Sequence, residues 1–334
     1  MSFRVFVSRA FPDPRSGGPN VLNSLQNCAQ VEVWRQAGAP SPGALREALL
    51  DCDGILCLLT DAIDRPLLEA CPGLRVVSSC SVGVDHVDVA AATELGVAVG
   101  HTPGVLTETT ADFSFALMLA AARRVSEADR FVRAGLWTPA RRWEPDMLLG
   151  ADLHGATLGI VGLGAIGQAV ARRAAGFGMR VLGWSRSARE CPGVERAPLD
   201  ELLARSDFVS VHVALSDETR NLIDATALSL MKPGAVLVNT ARGGIVDEAA
   251  LVWALKSGGI AAAGLDVFAQ EPMAPDDPLL GLENVVLAPH IGSASHATRN
   301  RMAELAVLNL VAGLEGRALP YSVNPEVTLR PARR

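Results

Sequence analysis

The sequence predicts an α/β chain built on doubly wound parallel sheets, and three observations carry that expectation. Short apolar runs of strand length alternate with amphipathic stretches of helix length, which places helices on both faces of parallel sheets. The 334 residues suggest about two domains of ordinary size. A hydrophobic fraction of 49% against 20% charged residues belongs to a chain with large cores rather than a disordered one.

Taken in order, Arg4–Val7, Gly54–Leu59 and Leu74–Ser79 read as buried strands, separated by helix-like segments such as Ala44–Leu50. Gly96–Val99 is a further strand, followed by one long helical pattern from Thr109 to about Arg133. Strands follow at Thr157–Val161, Arg180–Trp184, Phe208–Val213, Ala235–Asn239, Ala262–Val267 and Asn284–Leu287, and a last helix covers Ser295–Leu314. The tail Pro320–Arg334 is polar and proline-bearing, and is expected to wrap loosely.

Composition excludes several classes. With 30 basic and 36 acidic side chains the net charge is -6, against the basic face of a nucleic-acid binder. No apolar run approaches the roughly 20 residues that span a bilayer. The N-terminus reads as a strand rather than as a charged leader with an apolar signal core. None of the six cysteines, Cys28, Cys52, Cys57, Cys71, Cys80 and Cys191, forms a Cys-x-x-Cys pair. Buried free thiols in a reducing, cytoplasmic setting fit best. The acidity also sets a question: small anionic ligands would have to be held by a few placed groups.

Gly162-Leu163-Gly164-Ala165-Ile166-Gly167 is the clearest motif. A Gly-x-Gly-x-x-Gly alone is weak evidence among 31 glycines, but here it follows the apolar Leu158–Val161, opens the helical Gln168–Ala174 and is followed by a second strand. Gly162 permits a tight turn, Gly164 lets a pyrophosphate approach the backbone, and Gly167 lets helix and strand pack closely. The helix N-terminus offers free N–H groups and positive dipole to the phosphates. The second strand then ends in Trp184-Ser185-Arg186-Ser187, where an NAD-selective site carries an acid for the ribose hydroxyls. Arg186 can bind a 2′-phosphate with its planar fork and Ser185 and Ser187 can donate to it, so NADP(H) is expected over a weaker NAD(H). The competing reading of Arg186 is a solvated loop residue.

Three more segments each lie just past a predicted strand, where ligands bind in open parallel sheets. They are Asn239–Asp247 with Arg242, Gly264–Pro272 with Asp266 and Glu271, and Leu287–Ala294 with His290. These segments, together with Ser81-Val82-Gly83-Val84-Asp85 and the fingerprint, resemble the D-isomer-specific 2-hydroxyacid dehydrogenases over nearly the whole chain. Within that family the run His290–Met302 is most similar to the glyoxylate/hydroxypyruvate reductases.

The resemblance implies that Arg242, Glu271 and His290 are the catalytic set, and the chemistry of a 2-oxo acid suits those types. Arg242 would bind the carboxylate and polarise the ketone oxygen. Histidine ordinarily titrates near pH 6.5, so His290 is a natural proton donor, with Glu271 favouring its protonated form. By resemblance, backbone N–H groups at Val82 and Gly83 bind the substrate carboxylate, and Asp266 lies near the nicotinamide carboxamide. Ala214, Thr240 and Gly292 line the cofactor in the same way, with Thr110 approaching it and Ser293 on the substrate side. Trp143 resembles a tryptophan that reaches the neighbouring subunit's substrate site, its other reading being an ordinary interface aromatic. His86, His101, His154, His212 and His296 show no ligand spacing, and no metal is expected.

The same resemblance implies two Rossmann-like domains with the active site in the cleft between them. A flavodoxin-like substrate domain would comprise residues 1–99 and 289–334, and an NADP-binding domain residues 100–288. Hinges are expected at Thr102-Pro103-Gly104 and Pro289. A dimerisation arm would span about 109–149, in a homodimer. The expected activity is NADPH-dependent reduction of small 2-oxo acids. Alternatives are a related reductase, such as one acting on 2-ketogluconate, or a nucleotide-sensing binding protein of the corepressor kind.

Overall fold

A computed structural model describes residues 3–10, 21–187 and 190–331. The chain divides into two compact units, Met1–Leu106 with Ala294–Arg334, and Thr107–Ser293. His290, which the sequence boundaries put with the substrate domain, sits in the second unit.

The first unit holds a five-stranded parallel sheet of β1 (Phe3–Val7), β2 (Ala29–Val33), β3 (Gly54–Cys57), β4 (Val76–Ser79) and β5 (Ala98–Gly100), in the order β2-β1-β3-β4-β5. This is the flavodoxin-like order. Helices α1 (Val21–Gln26), α2 (Pro42–Leu49), α3 (Arg65–Ala70) and α4 (Val89–Glu94) make the crossovers. Ser41, Asp64 and Asp88 cap the last three of these through their side chains. The strand at Gly96–Val99 starts later than expected, because Gly96 takes a left-handed turn with φ +71°.

As far as residue 331, the tail is not loose. Asn324 is buried, accepting from Val99 N–H at 2.8 Å and donating to the Val97 carbonyl at 3.0 Å. The Arg330 guanidinium donates to the carbonyls of Cys71 and Leu74 at 3.0 and 3.2 Å. Buried carbonyls need partners, and a polar tail supplies them.

The second unit holds a seven-stranded parallel sheet, β12-β11-β10-β9-β6-β7-β8. Its strands are β6 (Thr157–Val161), β7 (Arg180–Trp184), β8 (Val194–Arg196), β9 (Phe208–Val211), β10 (Val236–Asn239), β11 (Ala262–Leu265) and β12 (Val285–Leu287). Successive residues feed opposite cores: Phe208, Val236 and Val238 pack on one face, Val209 and Leu237 on the other. Burial on both faces makes these strands read as continuous apolar runs. The order reverses between β6 and β9, which is the switch point where doubly wound sheets bind ligands.

The long helix expected at Thr109–Arg133 is two helices, α5 (Thr107–Ala122) and α6 (Val125–Arg133). Ala151 N–H takes the Ala122 carbonyl at 2.9 Å, removing an acceptor the helix needs to continue. Arg124 adopts φ +55° at the break and its guanidinium pairs with Glu127 at 2.7 Å. The remaining helices are α7 (Ala165–Gly176), α8 (Leu199–Arg205), α9 (Ala225–Leu230), α10 (Glu248–Ser257) and α11 (His296–Leu314), the last belonging to the first unit. Among the described residues no helix is long and apolar enough to cross a membrane.

Candidate active site

The fingerprint turn leaves β6 at its carboxyl end, beside the switch point. Gly162 has φ +111°, and an added Cβ would lie 2.6 Å from the His212 backbone, just past β9. Gly167 lies so close to the Gly162 carbonyl that a Cβ would collide with it. Gly164 differs, since a Cβ there would meet nothing within 4 Å. No side chain caps α7 at Gly164. Its smallness serves no internal packing, so the cradle and the open helix end fit a pyrophosphate. Leu163 is buried and anchors the turn from below, Ile166 is half-buried and Ala165 is exposed.

The turn after β7 is braced from within. Ser185 Oγ donates to the Ser187 carbonyl at 2.7 Å, and Arg196, on edge strand β8, donates to the carbonyls of Ser187 and Ser185 at 3.1 and 3.3 Å. Arg186 is exposed and pairs with Glu218 on the segment after β9. Ala214, on the same segment, accepts the buried Thr219 hydroxyl at 2.7 Å. His212 binds Ser210 Oγ through Nε2 at 2.8 Å, and its packing pushes the imidazole down to about 3, so it stays neutral.

The catalytic candidates come from the ends of β10, β11 and β12. Buried Asn239 closes the β10 end: its amide donates to the Arg242 carbonyl at 2.9 Å and accepts from Ala241 N–H at 3.0 Å. Arg242 follows, with its Nη1 on the Ala241 carbonyl at 2.9 Å. Gly243 must be glycine, because a Cβ would collide with the Phe268 carbonyl. That close approach sets the Arg242 turn against the loop carrying Glu271.

Glu271 Oε1 accepts from Phe268 N–H at 3.0 Å, and Oε2 lies 2.7 Å from His290 Nδ1. Burial pushes this carboxyl up, but the hydrogen bonds from His290 and Phe268 and the charges of His290 and Arg242 outweigh it. The net position is below the ordinary glutamate value. An ionised carboxylate only accepts, so Nδ1 carries a proton and Nε2 is the nitrogen left to exchange one with a ligand.

His290 itself has φ +56°, a left-handed conformation uncommon for a side-chain-bearing residue. Asp266 holds it there. The N–H of His290 donates to the Asp266 carbonyl at 2.9 Å, that of Ile291 to Oδ1 and that of Gly292 to Oδ2, both at 2.7 Å. Asp266 is buried, and its desolvation raises the carboxyl despite those two N–H bonds. Gly292 permits the approach, since a Cβ would lie 3.0 Å from Asp266 Oδ2. Ser293 follows, half-buried. Thr240 Oγ1 is 2.9 Å from Ser114 Oγ, which donates to the Thr110 carbonyl at 2.8 Å.

Arg242, Glu271, Asp266 and His290 are thus brought together, with the fingerprint and the Arg186 turn on the same sheet. Val82 and Gly83 belong to the first unit, where His101 Nδ1 lies 2.9 Å from the Val82 carbonyl and Ser81 Oγ donates to the Gly83 carbonyl at 2.6 Å. Trp143 is 80% exposed. Sequence reasoning missed Arg196, Glu218, Asn239 and the Asp266 clamp. Arg196 sits in a three-residue edge strand with no apolar signal, and the clamp depends on a backbone turn that residue types do not announce.

A glycine cradle at the switch point and a carboxylate–imidazole pair beside an arginine at the neighbouring strand ends define a nicotinamide-dependent oxidoreductase. Residues 115–292 match the family model described as D-isomer specific 2-hydroxyacid dehydrogenase, NAD binding domain. The glyoxylate reductase of Korarchaeum cryptofilum is 54% identical over 331 residues, covering 98% of this chain and 97% of that protein. The glyoxylate reductase of Aeropyrum pernix is 50% identical over 330 residues, covering 97% and 96%. Among solved structures, the NADPH-dependent glyoxylate/hydroxypyruvate reductase of Sinorhizobium meliloti, in complex with NADP and malonate, superimposes with a TM-score of 0.87 at 36% identity and covers 100% of both chains. The chain belongs to the D-isomer-specific 2-hydroxyacid dehydrogenases.

Proposed function

We propose that this dehydrogenase reduces small 2-oxo acids with NADPH, glyoxylate to glycolate and hydroxypyruvate to D-glycerate. The observation that carries the proposal is the 2.7 Å pair between His290 Nδ1 and Glu271 Oε2, on a turn clamped by Asp266. The activities of the glyoxylate reductase relatives support the substrate class.

Arg242 binds the substrate carboxylate and draws electron density onto the ketone oxygen. The nicotinamide, when bound, supplies hydride to the carbonyl carbon. His290 Nε2 delivers the proton to the oxygen as the carbon–oxygen double bond becomes single, and Glu271 compensates the charge on the ring. In the oxidative direction neutral His290 takes that proton back. The Val82–Gly83 loop serves as a carboxylate cradle, Ser293 contacts substrate, and Ala214, Thr240, Asp266 and Gly292 line the cofactor.

NADPH over NADH rests on the turn after β7, which carries Arg186 and no acid among Trp184–Ser187, with Arg196 of β8 donating to its carbonyls. Arg186→Asp is expected to move preference toward NADH, and an unchanged NADPH preference contradicts the reading. We further propose a cytoplasmic homodimer. Val132, Leu136, Trp137, Trp143 and Leu149 are exposed along α6 and the segment after it. Leu149 also lines a groove with Ala121, Arg124, Val236 and Val286, at the opposite strand ends from His290.

A steady-state panel of 2-oxo acids with both cofactors tests the function. Glyoxylate or hydroxypyruvate with NADPH is expected to show the highest kcat/KM. No turnover with any small 2-oxo acid would favour a cofactor-sensing protein, and a best substrate such as 2-ketogluconate would favour a related reductase.

A further inference from the structure

Strands β7 and β9 flank β6 in the sheet, and β6 delivers the fingerprint turn. The ion pair between Arg186, two residues past β7, and Glu218, on the segment after β9, therefore joins the two banks of the switch-point crevice. Both ends are anchored. Arg196 and Ser185 brace the turn that bears Arg186. Glu218 precedes Thr219, which is fully buried, accepts from Ser216 N–H at 2.8 Å and donates to the Ala214 carbonyl at 2.7 Å. Glu218 is thus held on a braced loop beside Arg186, rather than on a swinging surface arm.

We infer that Glu218 is a built-in competitor for the cofactor's ribose phosphate. It engages Arg186 across the crevice until a 2′-phosphate displaces it, and so limits the selectivity for the phosphorylated cofactor. The inference rests on the reading of Arg186 as the 2′-phosphate ligand.

A phosphate and a carboxylate both seek the planar guanidinium edge. The two anions also repel each other when brought to one fork. NADPH must therefore exchange one counter-ion of Arg186 for another, and its phosphate gains only the difference. NADH carries no group that competes. The pair is exposed, with side-chain accessibilities of 56% and 70%, so the effect is modest and screened by salt.

The test is calorimetric titration of the full-length protein with NADPH and with NADH, in the absence of any 2-oxo acid. The proteins are wild type, Glu218→Gln, Arg186→Ala and the double variant. Glu218→Gln is expected to lower the NADPH dissociation constant by roughly three- to fivefold, the equivalent of an exposed ion pair, and to leave NADH unchanged. In the Arg186→Ala background the same substitution is expected to shift NADPH by less than about twofold, because the competition has lost its object. An unchanged or weakened NADPH affinity in Glu218→Gln overturns the inference, as does equal tightening of both cofactors. If Arg186→Ala fails to weaken NADPH, the cofactor reading itself falls, and that outcome is distinct from failure at Glu218 alone.

Discussion

Three consecutive backbone N–H groups, of His290, Ile291 and Gly292, all end on Asp266. The carboxylate thereby fixes a left-handed histidine whose Nδ1 meets Glu271. Asp266→Asn sets an amide NH2 against one of those N–H donors, and is expected to cost about 1–3 kcal/mol of stability, read from urea denaturation midpoints. Glu271 makes a pH prediction. Its folded carboxyl titrates below the ordinary value of 4.5, so the stability it contributes is fully present above that value. That contribution drains away as pH falls through the lower folded value. The stability gap between wild type and Glu271→Gln is expected to shrink below pH 4.5, and a gap that widens on acidification contradicts the assignment. Arg242, Glu271 and His290 were legible in the sequence because each lies just past an apolar strand, in segments resembling a known family. The Asp266 clamp was not, since the resemblance placed that residue toward the nicotinamide and gave no sign of its bonds to the turn.

At the scale of elements, the fingerprint glycines separate into two kinds. Gly162 and Gly167 are required by packing against His212 and within the turn, whereas Gly164 faces open space. Gly164→Ala is therefore expected to keep the thermal midpoint near wild type while weakening cofactor binding by about tenfold. Gly167→Ala is expected to lower the midpoint itself, because something must shift to admit the methyl group. Thermal unfolding and cofactor titration on the two variants distinguish these cases, and equal destabilisation contradicts the distinction. The central strands were readable because burial on both faces makes them apolar throughout. Edge strands β2 and β8 were not, since Ala29–Val33 is buried at one end and alternates beyond it, and Val194–Arg196 has no buried residue. The break between α5 and α6 was hidden for another reason: the bond that ends α5 comes from Ala151, far along the chain.

At the scale of the whole molecule, a net charge of -6 stands beside two proposed anionic ligands. Placed donors reconcile them: Arg186 and Arg196 at the β7 turn, the uncapped start of α7, and Arg242 past β10. Net charge is informative about nucleic acid, and silent about small anions held by a few groups. The exposed apolar side chains along α6 and its sequel lead to a prediction of assembly. Light scattering is expected to give the mass of a dimer, and Leu149→Glu with Val132→Glu to shift it toward the monomer. A wild-type monomer at micromolar concentration contradicts that proposal. The most direct measurement for the central claim mixes the protein with NADPH and glyoxylate and follows the near-ultraviolet absorbance of the reduced nicotinamide, for wild type and His290→Ala. The account predicts bleaching by wild type, a loss of about 10²–10⁴-fold in the variant, and an NADPH dissociation constant that stays within about twofold. Absence of turnover in wild type, or equal losses of turnover and NADPH binding in the variant, would contradict it.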